Sequence, residues 1–125
     1  NSVVGEWCNF GAGTNWSNLK NTLSSVRVWD FSRHEFIDSG QQKLGLIMGD
    51  YSMTAVGTNF MTGSTVGVRA NIVEAPKKYT PSFTWSSQEK YNFDKVVKKS
   101  QEFARLKGRE LSDAEILILE YICTF

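Results

Sequence analysis

The sequence predicts a mainly β fold: a triangular β-helix carrying an inserted β-hairpin arm and closed by two C-terminal α-helices. Three observations lead there. Met48, Thr54, Phe60, Val66 and Ile72 fall six residues apart, and a small side chain follows four residues after each of the first four: Ser52, Thr58, Ser64 and Ala70. Val4, Phe10 and Trp16 keep the same beat earlier, with Cys8 and Thr14 in the small slots. From residue 92 onward the apolar spacing becomes helical. A six-residue repeat marks a β-helix, because one side of a triangular coil takes about six residues.

The leading apolar residue of each hexad should point into a narrow prism. The small residue near the corner should also point inward, where a large side chain would not fit. Glycine after several leads, as in Gly5, Gly11, Gly49 and Gly67, is expected to supply a tight bend at no steric cost. Met48 to Thr65 then makes one coil and Val66 opens the next. Ordinary antiparallel strands would show strict period-two alternation, which is weak across Met48–Ile72.

The elements follow in order. Residues 1–18 read as strand-like hexads at the end of a coil. Residues 19–47 leave the beat and return out of phase. Inside them, Val26–Phe31 and Glu35–Ile37 are apolar runs around Ser32-Arg33-His34, the pattern of a hairpin with a short loop. Residues 48–75 are the repeat proper, so the prism is expected over 1–75 with its insertion at about 19–47. Residues 76–125 are then a loop and two helices. Pro76, Pro81 and several Ser and Thr residues mark 76–90 as a crossover loop.

In the first helix Phe93, Val96, Val97, Phe103 and Ala104 share a face, with Asn92 as N-cap and Gly108 as stop. Ser112-Asp113-Ala114-Glu115 is a capping box before the second. Its face is Ala114, Leu117, Ile118, Tyr121 and Ile122, flanked by Ile116 and Leu119. That apolar surface is wide enough to require packing on the prism or on a partner subunit.

Composition removes several classes of function. A net charge of +1 gives no bulk attraction to nucleic acid. The lysines of Lys90–Lys107 are interleaved with Glu102 and Asp94, as on a solvated face. No apolar run approaches membrane-spanning length. One histidine and two cysteines, Cys8 and Cys123, without Cys-x-x-Cys spacing, offer no metal site and no disulfide framework. A reducing cytoplasm is the expected location.

The stretch Gly5-Glu6-Trp7-Cys8-Asn9-Phe10-Gly11-Ala12-Gly13-Thr14, followed by Asn18-Leu19-Lys20-Asn21, resembles the left-handed β-helix domain of bacterial sugar-1-phosphate nucleotidyltransferases. It is similar to the bifunctional N-acetylglucosamine-1-phosphate uridylyltransferase/glucosamine-1-phosphate acetyltransferases. It looks closer still to a glucose-1-phosphate thymidylyltransferase branch, through Val28-Trp29-Asp30, Phe36–Gly40, Gly45–Asp50, Val66–Ile72 and Pro81–Trp85. The resemblance covers roughly residues 1–107. It implies a left-handed parallel β-helix of hexapeptide repeats, an exception to the usual right-handed crossover, assembled as a homotrimer. It also implies a preceding nucleotide-binding domain, whose glycine-rich loop and basic partner are absent here. Because Asn1–Val4 enters the beat at once, the chain is expected to be the C-terminal piece of a longer polypeptide.

Carried over residue by residue, the resemblance places Asn18 at the acyl donor, Ala12 at a backbone contact to acetyl-CoA and Lys43 near the coenzyme. Asn9 completes the candidate groove. A lysine pairs with coenzyme phosphates and an amide holds a thioester carbonyl. The family's catalytic histidine, the general base for the amine, would fall just before Asn1. His34 lies in the arm and is not its counterpart, so no catalytic residue is expected in this chain. Val56 and Glu74 replace small residues of the coenzyme groove. The expected role is therefore mainly trimerisation within a sugar-nucleotide-forming transferase. The alternatives are an acetyl-CoA-dependent amino-sugar-phosphate acyltransferase, and a sugar-nucleotide effector site using Arg27, Arg33 and Arg69.

Overall fold

A computed structural model describes residues 1–85, 89–90 and 92–123. Among them the chain is a parallel β-helix with an antiparallel hairpin inserted in it and two helices at its C-terminal end. The first coil is β1 (Val3–Val4), β2 (Asn9–Phe10) and β3 (Asn15–Trp16). The arm is β4 (Arg27–Asp30) and β5 (Glu35–Asp38), and the second coil is β6 (Ile47–Met48), β7 (Met53–Thr54) and β8 (Asn59–Phe60). The third coil holds β9 (Thr65–Val66) and β10 (Asn71–Ile72), the fourth β11 (Tyr79–Thr80) and β12 (Thr84–Trp85). A short β13 (Glu89–Lys90) turns back antiparallel on β12 before α1 (Phe93–Leu106) and α2 (Asp113–Cys123).

The register explains the beat. On the first face Val4, Met48, Val66 and Thr80 align, on the second Phe10, Thr54 and Ile72, on the third Trp16 and Phe60. Eighteen residues separate Ile47 from Thr65 and Met53 from Asn71, three hexads per coil. Forty-four separate Val3 from Ile47, so the arm adds twenty-six residues to the first coil without disturbing the stacking. Only fourteen separate Thr65 from Tyr79 and Asn71 from Trp85. That coil cuts its third side short through 73–78. The spacing therefore hides β11 and β12 inside 76–90, where proline and polar content predict a crossover loop; residues 86–88 of that loop lie outside the described residues.

Inside the prism, Leu46, Met48, Phe60, Val66, Ala70 and Ile72 form the core, with Cys8 and Phe10 against it. The small slots also bond. Thr14, Thr58, Ser64 and Thr84 each donate a hydroxyl to the carbonyl three residues back, at 2.6, 2.8, 2.7 and 2.7 Å. For Gly11 O and Met61 O the hydroxyl adds to a backbone bond from Thr14 N at 3.1 Å and Ser64 N at 3.2 Å. Ser52 goes further: its hydroxyl donates to Gly67 O at 2.8 Å and accepts from Ala70 N at 3.0 Å. Ser52→Ala should leave both groups unpaired and cost about 2–3 kcal/mol, read as a lower midpoint in urea; a change under about 0.5 kcal/mol would reject this bridging role. Cys8 fills the same slot one coil up, its thiol 3.2 Å from Gly49 O, and burial pushes its pKa up. It is a packing residue.

The corner between the first two faces departs from expectation. Gly5, Gly49 and Gly67 do not carry the left-handed turn. It falls two residues later on Trp7, Tyr51, Arg69 and Phe83, at φ 61°, 62°, 55° and 58°. Each such residue costs about 1–2 kcal/mol without a compensating contact. The compensation is burial: Tyr51 and Phe83 pack with Val96 of α1 and Leu119 of α2, and Trp7, Phe93 and Ile122 join them. Burial also pushes the Tyr51 phenol up to about 12. The glycines serve a different need, close approach between coils: a Cβ on Gly49 would lie 2.8 Å from Gly67 C.

The helices begin and end as their caps predict. Asn92 accepts from Asp94 N at 2.9 Å, Gly108 sits at φ 74° after α1, and Ser112 accepts from Glu115 N at 3.1 Å. The face of α2 differs. Leu119 is buried and Ile116 and Ile122 half-buried, while Leu117, Ile118 and Tyr121 remain exposed. A helix that is apolar nearly all round has no periodicity to select its docked side.

Candidate functional site

The arm begins at the corner that links the third face to the first. Its ends are tied by an antiparallel bridge between Leu19 and Lys43 and by Leu44 N donating to Asn18 O at 3.0 Å. Val26 is fully buried there. The hairpin then runs over the first face to the fourth coil. Trp29 stacks on Tyr79 at 4.1 Å and 7°, and Phe31 and Phe36 meet this pair edge-on. At the tip, Asp30 accepts from Ser32 N, Ser32 Oγ and Arg33 N. These bonds, led by the Ser32 hydroxyl, hold its carboxyl below the usual range. Between this tip and Ile122 of α2 lies an open, mostly apolar groove of about 950 Å³, edged by Phe31, Ser32 and His34 and floored by Ile47, Gly67 and Val68. The spacing gave no hint of this groove, which depends on how the arm lies.

The four groove residues predicted from the sequence fall in three places. Asn18 and Lys43 meet at the foot of the arm, through the ties just described, and Lys43 O accepts from the Asn1 side chain at 3.1 Å. Asn9 is exposed on β2, in register with Met53. Ala12 sits at the next corner, its carbonyl accepting from Gly57 N at 2.8 Å. Val56 and Glu74 occupy the same corner position in the following coils, and both are exposed. The column Ala12–Val56–Glu74 thus carries a valine and a carboxylate.

The three arginines do not share a site. Arg33 is at the arm tip, its Nε 3.9 Å from Asp30. Arg69 is 2% exposed in the corner column and donates to Tyr51 O at 3.2 Å. Arg27 alone remains at the foot of the arm, its Nη2 donating to Phe36 O at 2.7 Å. There it lies near Lys20, from the Asn18–Asn21 stretch, and Lys78, two cations that the sequence did not mark as ligands. Burial, then the fields of Lys20 and Arg27, pushes the Lys78 pKa down. Asp38 is held below the usual carboxylate range by the Gly40 N–H and the Ser25 hydroxyl, with a smaller contribution from Arg27 and Lys20.

No protein-family model matches the chain. Two curated proteins do. Over 66 residues, 53% of this chain, it is 41% identical to the bifunctional protein GlmU of Methanocaldococcus jannaschii. Over 71 residues, 57% of this chain, it is 35% identical to a bifunctional sugar-1-phosphate nucleotidylyltransferase/acetyltransferase of Sulfurisphaera tokodaii. The matched stretches span only 15% and 17% of those proteins. The chain is distantly homologous to bifunctional nucleotidyltransferase/acetyltransferase proteins, and its parallel coils are consistent with that kinship. Among the described residues no helix is long and apolar enough to cross a membrane.

Proposed function

We propose that this chain is the hexapeptide-repeat domain of a sugar-1-phosphate nucleotidyltransferase, of the glucose-1-phosphate thymidylyltransferase branch, and that its main task is to hold three copies together. The observation that carries this reading is the corner column Ala12–Val56–Glu74. A carboxylate on that line repels the phosphates of a coenzyme, and the valine narrows the path. Val56 and Met61, 77% and 59% exposed, bound the β3–β8 face on its two corners. Apolar side chains so placed suit contact with a neighbouring prism. Nucleotidyl transfer then belongs to another part of the polypeptide.

The test is sedimentation equilibrium combined with calorimetry. The expected result is a trimer that takes up no acetyl-CoA saturably, and a Val56→Asp/Met61→Asp variant that falls to monomer. A monomeric wild-type chain at micromolar concentration would reject the scaffold reading.

One observation favours the acyltransferase alternative: Asn18 and Lys43 lie together at the foot of the arm. On that reading, acetyl-CoA binds saturably and Asn18→Ala abolishes the heat. The effector alternative draws on the cations at the same foot.

A further inference from the structure

We propose that the foot of the arm is a binding site for the phosphate group of a small molecule, held by Lys20, Arg27 and Lys78. The inference deepens the effector reading and rests on it. Three separate segments bring these cations together. Lys20 opens a turn closed by Leu23 N donating to Lys20 O at 3.0 Å, and the Gln42 side chain ties that turn by donating to Leu23 O at 3.0 Å. Arg27 starts β4, with one guanidinium N–H used on Phe36 O. Lys78 precedes β11, its carbonyl accepting from Thr65 N at 2.8 Å, and the next residue, Tyr79, stacks on Trp29. Gly63 permits the approach, since a Cβ there would meet Arg27 O at 2.5 Å and Val26 Cγ1 at 2.6 Å.

Among the described residues none of the three cations forms a salt bridge. Asp38, opposite Arg27 in the β4–β5 register, is the carboxylate facing this group, and its oxygens already accept from Ser25 Oγ and Gly40 N. The three cations outnumber the one carboxylate, and Lys43 at the same foot adds a further positive charge. A phosphate monoester, about −1.5 to −2 at neutral pH, complements such a surplus. Gathered like charges disfavour one another; the Lys78 pKa is lowered first by burial and then by the fields of Lys20 and Arg27. A bound dianion offsets that mutual repulsion. Arg27 brings a planar fork of further N–H donors suited to phosphate oxygens, and the two lysines act as point charges. The cluster is local in a chain of net charge +1. It therefore fits a small phosphorylated molecule and not a nucleic-acid backbone, which needs a basic stripe.

Calorimetry in low-salt chloride buffer tests the site with inorganic phosphate, glucose 1-phosphate and UDP-glucose as probes. At least one phosphate probe should bind saturably to the wild-type chain and to a Lys98→Met control on α1. Binding should weaken about tenfold or more in Arg27→Gln/Lys78→Met. Equal affinity for phosphate and glucose 1-phosphate identifies the bare anion as the group read; tighter glucose 1-phosphate identifies a sugar phosphate. Binding of either without UDP-glucose keeps the site and removes the sugar-nucleotide effector reading. No saturable heat from any probe, or unchanged affinity in the double variant, overturns the proposal. If the double variant loses its near-UV circular dichroism, Lys20→Met carries the same comparison. Sedimentation of the same samples reports assembly independently.

Discussion

Phe83→Ala is expected to lower stability by about 3–5 kcal/mol and to release the two C-terminal helices from the prism. Phe83 is 1% exposed, in one buried cluster with Tyr51, Val96 and Leu119. Alanine removes the ring that α1 and α2 share, while keeping a Cβ at φ 58°, so the backbone strain stays and its compensation goes. Urea unfolding followed by ellipticity at 222 nm should show the helical signal lost earlier than the signal from the coils. Phe83→Leu should recover most of the loss, because it restores apolar volume. A loss below about 1 kcal/mol for the alanine variant would mean that the helices are held elsewhere.

Gly67→Ala should cost about 3 kcal/mol. A Cβ at this position would strike Ser82 N and Oγ and come within 2.7 Å of Ser82 Cα. Backbone atoms cannot rotate away as a flexible side chain does, so the third and fourth coils must separate. That separation also breaks the bond from Gly67 N to Thr80 O, now 2.8 Å, and the bond from Val68 N to Ser82 Oγ, 2.9 Å. Gly57→Ala is the comparison: it sits at φ 73° with nothing within 4 Å of its added Cβ. Only the conformational cost of about 1–2 kcal/mol applies there. Denaturation midpoints of the two variants separate the causes. If Gly57→Ala proves the more damaging, glycine serves this prism chiefly through its backbone freedom.

The prism was legible between Met48 and Ile72 because each full coil spans eighteen residues and its inward positions alternate large and small. The same logic failed at Tyr79–Trp85, where a coil four residues shorter and Pro81 broke the beat. Hydrogen bonding by Thr58 and Ser64 was hidden because a small slot reads alike whether or not it carries a hydroxyl. The left-handed corner column was missed for a related reason. Glycine is the usual residue at positive φ, so Gly5, Gly49 and Gly67 drew the reading away from Trp7, Tyr51, Arg69 and Phe83. Burial under two helices decides that column, and no local pattern encodes it.

The site was less legible. Asn18 and Lys43 were each named by family likeness, and their closeness depends on how the two ends of the arm meet. Lys20, Arg27 and Lys78 come from three segments with no shared spacing. The lie of the hairpin over the first face, with Trp29 on Tyr79, brings Arg27 to Lys78, and a separate turn tied by Gln42 carries Lys20.

The way the arm is attached bears on how such a chain changes over generations. Its two ends leave and rejoin the coil at one point, and its twenty-six extra residues alter neither the register of Val3 with Ile47 nor that of Asn15 with Asn59. A hairpin held in this manner can be lengthened, exchanged or deleted in one genetic event without re-specifying the body beneath it. Ancestry recorded in the coils and novelty recorded in the arm are then inherited separately. Kinship read from the repeats of this chain dates the support, and says little about when its anion-facing surface arose.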